Sequence, residues 1–246
     1  MAARPRDYVR VAGPDAEDFL QRMLSNDVTT APCRALLLTP KARVIAPVTV
    51  VRRAGDDFLL LTEPGLGETV TSTLVRARFA AKVEIGPEEH TSVVVFGEEG
   101  GIPNGEFGEP ASELLDADVE PTLSAEDLEQ LRIEAGMPTW GKEIDDTILP
   151  AEAGLDDTHV SFTKGCYPGQ EPIARLRHRG KVNRGLRVLE VEAAQQGDEI
   201  RVSDKVVGRV TSAANGRALG YVRVEVPVDA ELEVGSDGKT GWAISA

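Results

Sequence analysis

Cysteine is scarce in this sequence: Cys33 and Cys166 are the only two, far apart, with no CxxC pair and no metal-ligand spacing. That argues against a disulfide-stapled secreted fold and against a conventional four-cysteine cluster, so no stably bound metal is expected. Aromatic residues make up only 4% of the chain, which leaves its cores to Val, Leu and Ala. No apolar run reaches the ~18 residues needed to span a bilayer. The opening MAARPRDYVR carries positive charge without the apolar stretch of a signal peptide, so a cytoplasmic location is expected. Positive charge is in deficit overall, with 27 Lys and Arg against 41 Asp and Glu and a net charge of −14. Such a chain has no general attraction for nucleic acid or anionic membranes, and direct nucleic-acid binding is not expected, a folded RNA docked on the local basic patch at 175–187 being the alternative.

What is present is ordinary globular material, 41% hydrophobic and 28% charged over 246 residues, enough for two or three compact units. A strand is predicted at 8–12, then a helix over GPDAEDFLQRMLSND, with Pro14 in its first turn, Asp15, Glu17 and Asp18 at its positive end, and Phe19, Leu20, Met23 and Leu24 as its apolar stripe. Apolar runs at 35–39, 43–53 and 58–62 read as strands, with AGDD at 54–57 as a hairpin turn. Leu66, Val70, Leu74 and Ala77 have helical spacing, and strands follow at about 81–85 and 91–96. Helices and strand pairs alternating in this way predict an α+β region over 1–184, in two subdomains with the second at about 50–115. GEEGGIPNGEFGEP at 97–110 reads as an exposed loop, and Ser124 with Asp127 approximates a capping box for a helix that stops at Gly136. From residue 185 the chain changes to short strands punctuated by Gly and Asp. Asn215-Gly216 is a type I′ hairpin signal and Val222, Val224 and Val226 alternate with charged residues, so 185–246 is read as a small β-barrel.

One segment departs from the acidic background. Between Lys164 and Arg187 stand seven Lys or Arg (Lys164, Arg175, Arg177, Arg179, Lys181, Arg184 and Arg187) and a single acid, Glu171. Cys166 lies among them, and nearby cations lower a thiol's pKa, so a reactive cysteine beside an anionic ligand is one reading. A small, buried, inert cysteine is the other. Gly165, Pro168 and Gly169 point to a tight loop around it, and Lys164 is placed either beside the thiolate or paired with Glu171. Gln170 and Glu171 are candidates to brace the loop or to face a ligand. His159 or His178 would make a Cys-His pair, but no oxyanion motif accompanies them.

The runs GPDAEDFLQRMLSNDV, LLLTPKARV, LRIEAGMPTWGKEIDDTILPAEAGLDD, SFTKGCYPGQEPIARLRHRG and VGRVTSAANGRALGYVRVEV resemble the YgfZ family, relatives of the glycine-cleavage T-protein (aminomethyltransferase) fold. The signature KGCYxGQE is carried by Lys164, Gly165, Cys166, Tyr167, Gly169, Gln170 and Glu171, with Arg175 four positions on. The resemblance implies a three-part ring of ferredoxin-like α+β units closed by a C-terminal barrel, around an opening that binds tetrahydrofolate. It implies a role in assembly or repair of iron-sulfur proteins, with those clients as partners and an indirect effect on tRNA modification. A pterin edge suits a carboxylate through paired hydrogen bonds, and a glutamate tail suits arginine. On the family pattern the pterin carboxylate falls at Glu152 and the arginine at Arg184. Asn26 and Asp27 are further folate candidates, with helix capping as their alternative role.

Two departures qualify the likeness. T-proteins carry a catalytic aspartate in an NAxNxxxD run after the strand matched by FLLLT, whereas this chain continues TEPGLGETV, with Glu68 one position away. Folate binding without aminomethyl transfer is therefore expected, with a folate-dependent one-carbon transferase or demethylase as the alternative. The second departure is Ala42, where the family usually has Gly; it costs little unless the turn needs positive φ.

Overall fold

The computed structural model describes residues 1–97, 100–235 and 239–244. Two long strands, Val44–Ala54 and Asp57–Thr62, form a hairpin whose tight connection takes Gly55 to φ +48°. Flanking them in the same antiparallel sheet are Cys33–Leu38 on one side and Asp7–Ala12 with Glu84–Glu88 on the other. Helices α1 (Ala16–Met23) and α2 (Gly67–Ala77) cover one face. Phe19 and Leu20 from α1 and Val70 and Leu74 from α2 meet Val9, Val11, Val50, Phe58 and Leu60 in a core almost free of solvent. Each such side chain contributes about 1.5–3 kcal/mol by leaving water, so the predicted amphipathic stripes are what fix this layer.

A second, four-stranded sheet is ordered Ala2–Ala3, Ser92–Phe96, Ala111–Leu115, Ile102–Asn104. The sheets therefore do not divide at residue 50: 44–62 belong to the first, and the second takes 92–115 with the N-terminal dipeptide. The predicted loop at 97–110 holds the strand Ile102–Asn104, with Asn104 and Phe107 buried; Glu98 and Glu99 of that prediction lie outside the described residues. The strand expected at 81–85 begins at Glu84, because the chain is still turning out of α2 up to Val83. Helix α3 (Ala125–Glu134) starts on the expected box, Ser124 and Asp127 each capping the other, and stops where Gly136 takes φ +71°.

Six strands close the C-terminal barrel, in the order Arg184–Val191, Arg217–Arg223, Lys205–Ala214, Glu199–Val202, Glu231–Val234, Lys239–Ile244. Asn215 and Gly216 both take positive φ in their hairpin, as a type I′ turn requires. The alternation expected through Val226 breaks because the strand ends at Arg223, leaving Val224 exposed between buried Val222 and Val226. The barrel is tied to the rest by an apolar cluster that runs from Leu36, Leu38 and Val44 through Ile144, Ile148 and Tyr167 to Tyr221. A buried polar clasp reinforces it. Arg132 of α3 donates to Glu143 at 2.9 Å and to Ser212 of the barrel at 2.8 Å, and Ser212 donates to Glu143 at 2.6 Å.

Candidate functional site

Between the first sheet and the barrel the chain makes a one-turn 3-10 helix, Pro150–Glu152, in which proline at the first position fits an N–H that needs no partner. Glu152 folds back so that Oε2 accepts from the Leu149 amide at 3.1 Å, which aims Oε1 at the barrel's first strand. There Arg184 Nε donates to it at 3.1 Å, with the guanidinium 4.8 Å above the Tyr221 ring. The Glu152 side chain is 12% exposed and that of Arg184 42%, so the carboxylate is the sheltered partner. The two residues assigned separately to a folate thus lie side by side. Among the described residues each carboxylate oxygen keeps a lone pair and the guanidinium keeps both terminal nitrogens for a third party.

Residues that flank this pair in sequence, Leu149, Pro150, Ala151 and Val182, line a cavity of about 780 Å³, whose lining includes neither Glu152 nor Arg184. Asp156 of the short helix α4 (Asp156–His159) also lines it, and its other wall is helix α5 (Gln170–Arg179), to which sequence reasoning gave no secondary structure. The small space lined by Arg6, Arg34, Glu63, Glu106 and His159 is only about 30 Å³, room for a water and not for a pterin. The space beside α5 has the volume a folate requires, as does one of about 960 Å³ lined by Glu68 and His90, so nearness in sequence to Glu152 and Arg184 rather than size is what sets the space beside α5 apart.

The thiol loop leads into α5 through Gly169 at φ +85°, a conformation only glycine holds without strain. Cys166 is exposed, and its sulfur has no hydrogen-bond partner among the described residues. Lys164 turns away from the expected Glu171: its Nζ donates to the carbonyls of Leu24 at 2.8 Å and Asn26 at 2.6 Å. Burial lowers the ammonium to about 8, against the opposing pull of Asp27 and Cys33. The thiol it acts on is therefore Cys33, whose own burial pushes it up to about 11. Glu171 pairs instead with Arg175 at 2.7 Å on exposed helix surface, and no side-chain bond from it or from Gln170 to the loop amides is seen among the described residues. Tyr167 is buried in the inter-unit core, with the Lys164 ammonium 5.6 Å from its ring. Gly165 is open to solvent.

Asn26 and Asp27 serve the backbone. Asn26 Nδ2 donates to the Arg34 carbonyl at 2.7 Å, and Asp27 caps the turn Val28–Thr30, its carboxyl held below the usual range first by the Thr29 hydroxyl. They meet Lys164, not the Glu152–Arg184 pair. His159 is buried and kept neutral, at about 3, by desolvation and Arg34; its ring nitrogen meets the Thr158 hydroxyl at 2.8 Å. Glu68 opens α2 and lines a different cavity, one that shares no residue with that beside α5. Of the seven cations counted in the segment, Arg177 pairs with Asp157 and Arg187 donates to the carbonyls of Val226 and Pro227, so much of the local positive charge is spent on the protein itself.

Sequence reasoning missed a buried ionic cluster: Arg6 donates to Glu113 and Glu106, and Arg4 to Glu63 and Glu106. Arg34 was missed as well, although a charge inside the apolar run CRALLL is a visible signal. No group of three or more His, Cys, Asp or Glu arranged to hold a metal ion is found among the described residues, and none of their helices is long and apolar enough to cross a membrane.

Comparison with known proteins adds the following. Residues 171–244 match the family described as CAF17, C-terminal beta-barrel domain. An uncharacterized protein of Haemophilus influenzae is 27% identical, the alignment covering 92% of this chain and 88% of that protein. The tRNA-modifying protein YgfZ of Edwardsiella ictaluri is 25% identical over 96% of this chain and 88% of its own length. An aminomethyltransferase of Synechocystis is 26% identical over 97% of this chain but only 56% of itself. Among solved structures, the glycine cleavage system aminomethyltransferase T of Bartonella henselae superposes with a TM-score of 0.84 at 20% identity, covering 98% of this chain and 83% of that one. The fold is that of the T-protein, α+β with a closed C-terminal barrel, and the likeness to the YgfZ family is supported along nearly the whole chain.

Proposed function

From a T-protein fold with full-length similarity to YgfZ proteins, we propose that this chain binds a reduced folate at Glu152 and Arg184 and serves as an auxiliary factor in assembly or repair of iron-sulfur proteins, presenting Cys166 to a client. The observation that carries the folate half is the 3.1 Å contact between a sheltered carboxylate and a half-exposed guanidinium, flanked in sequence by residues that line a cavity of about 780 Å³. A pterin's paired donors match the carboxylate, and the aromatic Tyr221 beneath Arg184 holds the guanidinium in place. Exposure of Cys166 supports the second half, since a thiol offered to a partner must be reachable. The absence of an aspartate at the T-protein position supports binding without aminomethyl transfer.

Titration with tetrahydrofolate, following the wild type beside Glu152→Ala and Arg184→Ala, tests the site. Each variant should bind at least about tenfold more weakly, the loss of one charged hydrogen-bonding group. Parental affinity in both would remove the assignment. Appreciable formation of methylenetetrahydrofolate from amino-methyl donors would favour the transferase reading instead. For the thiol, alkylation followed by mass spectrometry should label Cys166 well before Cys33, which is partly buried and stays protonated. Equal rates would take Cys166 out of the proposal.

A further inference from the structure

Arg34 stands on the strand Cys33–Leu38, whose remaining side chains are apolar, and its guanidinium has neither a hydrogen bond nor an ion pair among the described residues. Its Nη1 is out of contact with solvent. The nearest source of negative charge, Glu106, acts on it electrostatically but is held by Arg4 at 3.0 Å and Arg6 at 2.8 Å. Asn104 is equally committed, donating to Glu113 and accepting from the Glu106 amide. Arg34 is half-buried, and a guanidinium with one nitrogen shut off from water and unpartnered carries a desolvation cost that a bound anion would offset.

The place is suited to that. Arg34 lines a groove of about 550 Å³ between the two sheets, within the range of metabolite sites, and is the only charged residue on its described wall. Pro32, Pro103, Pro110 and Ala111 make much of the rest apolar. The chain at Gly105 runs so close that a β-carbon there would lie 3.3 Å from Nη2, so this glycine gives the guanidinium room. The groove shares no residue with the cavity beside α5.

We propose that this groove is a second ligand site, in which Arg34 takes the carboxylate of a small monocarboxylic acid with an apolar body. One planar fork matches one carboxylate bidentately. A phosphate dianion would ask for a second cation, which the described residues of the wall do not offer.

The test uses the full chain labelled with [15N]arginine, the Arg34 Nε–H resonance being identified by its loss in Arg34→Gln. Benzoate should shift that resonance saturably at fixed ionic strength, and inorganic phosphate should leave it in place. Arg34→Lys, which keeps the charge and loses the fork, should weaken benzoate binding by about tenfold or more. Without ligand, Arg34→Met should melt about 2 °C or more above the wild type, since it removes an uncompensated charge. Absence of a benzoate shift, or an equal response to phosphate, overturns the assignment. So does a lower melting point for Arg34→Met, because that would mark the guanidinium as structurally paired.

Discussion

Lys164 shows at the level of one residue how a sequence signature is put to structural use. Its two charge-assisted hydrogen bonds fasten the thiol loop to the end of α1, and Lys164→Met should cost about 1–2 kcal/mol at neutral pH in urea melts. The pH dependence has a definite sign. With the folded ammonium at about 8 and an unfolded lysine near ~10.4, the unfolded chain holds more protons between those values, so stability rises with pH across that window. The wild type should therefore gain on Lys164→Met from pH 8 to 10; a constant gap would mean the ammonium is not desolvated. Sequence made this residue conspicuous but not its partner, since carbonyls 140 and 138 positions away leave no trace in composition. Glu152 and Arg184 were singled out for a different reason: the resemblance to the T-protein pattern set a carboxylate and an arginine at those positions, and the fold brings the two within 3.1 Å of each other.

Among the elements, α5 is the one the thiol loop depends on, and it was hidden by Gly169, Pro172 and a dense run of charge. Proline in its first turn is compatible with a helix, and Gly169 supplies the left-handed entry. A β-carbon at 169 would come 2.8 Å from the Thr39 carbonyl oxygen and 3.0 Å from Ala42 Cα. Gly169→Ala should thus cost about 2–4 kcal/mol, combining positive-φ strain with a backbone clash, and should raise amide exchange throughout α5. Exchange unchanged in the variant would show that the helix does not need this entry. The neighbouring turn answers the question left by Ala42: it does take positive φ, at +60°, where Gly would sit unstrained. Helix α1, helix α3 with its cap, and the strands of the first sheet other than Glu84–Glu88 could be read in advance because their apolar spacing is local, whereas the strand Ile102–Asn104 is made by pairing with Ala111–Leu115 and has no local signature.

Across the whole molecule the two sheets are joined by charges that looked like scattered surface residues, because Arg4, Arg6, Glu63, Glu106 and Glu113 are brought together only by the N-terminal dipeptide crossing into the second sheet. The Arg6 side chain is 4% exposed and that of Glu113 2%, so removing the arginine strands buried carboxylates. Arg6→Met should cost about 3–5 kcal/mol. Burial alone would raise Glu106, yet Arg6 and Arg4 hold it down at about 2. A carboxyl depressed in the folded state stabilises above its unfolded value of ~4.3, and that contribution disappears as pH falls through 2. For Glu106 it amounts to about 3 kcal/mol, and Glu106→Gln should lose it at pH 6 while differing little from the wild type near pH 2. Calorimetric scans of both proteins at the two pH values decide the matter, and a gap that persists in acid would mean the sheets are held together by packing at Tyr8, Leu59 and Leu61 with the ion pairs contributing little.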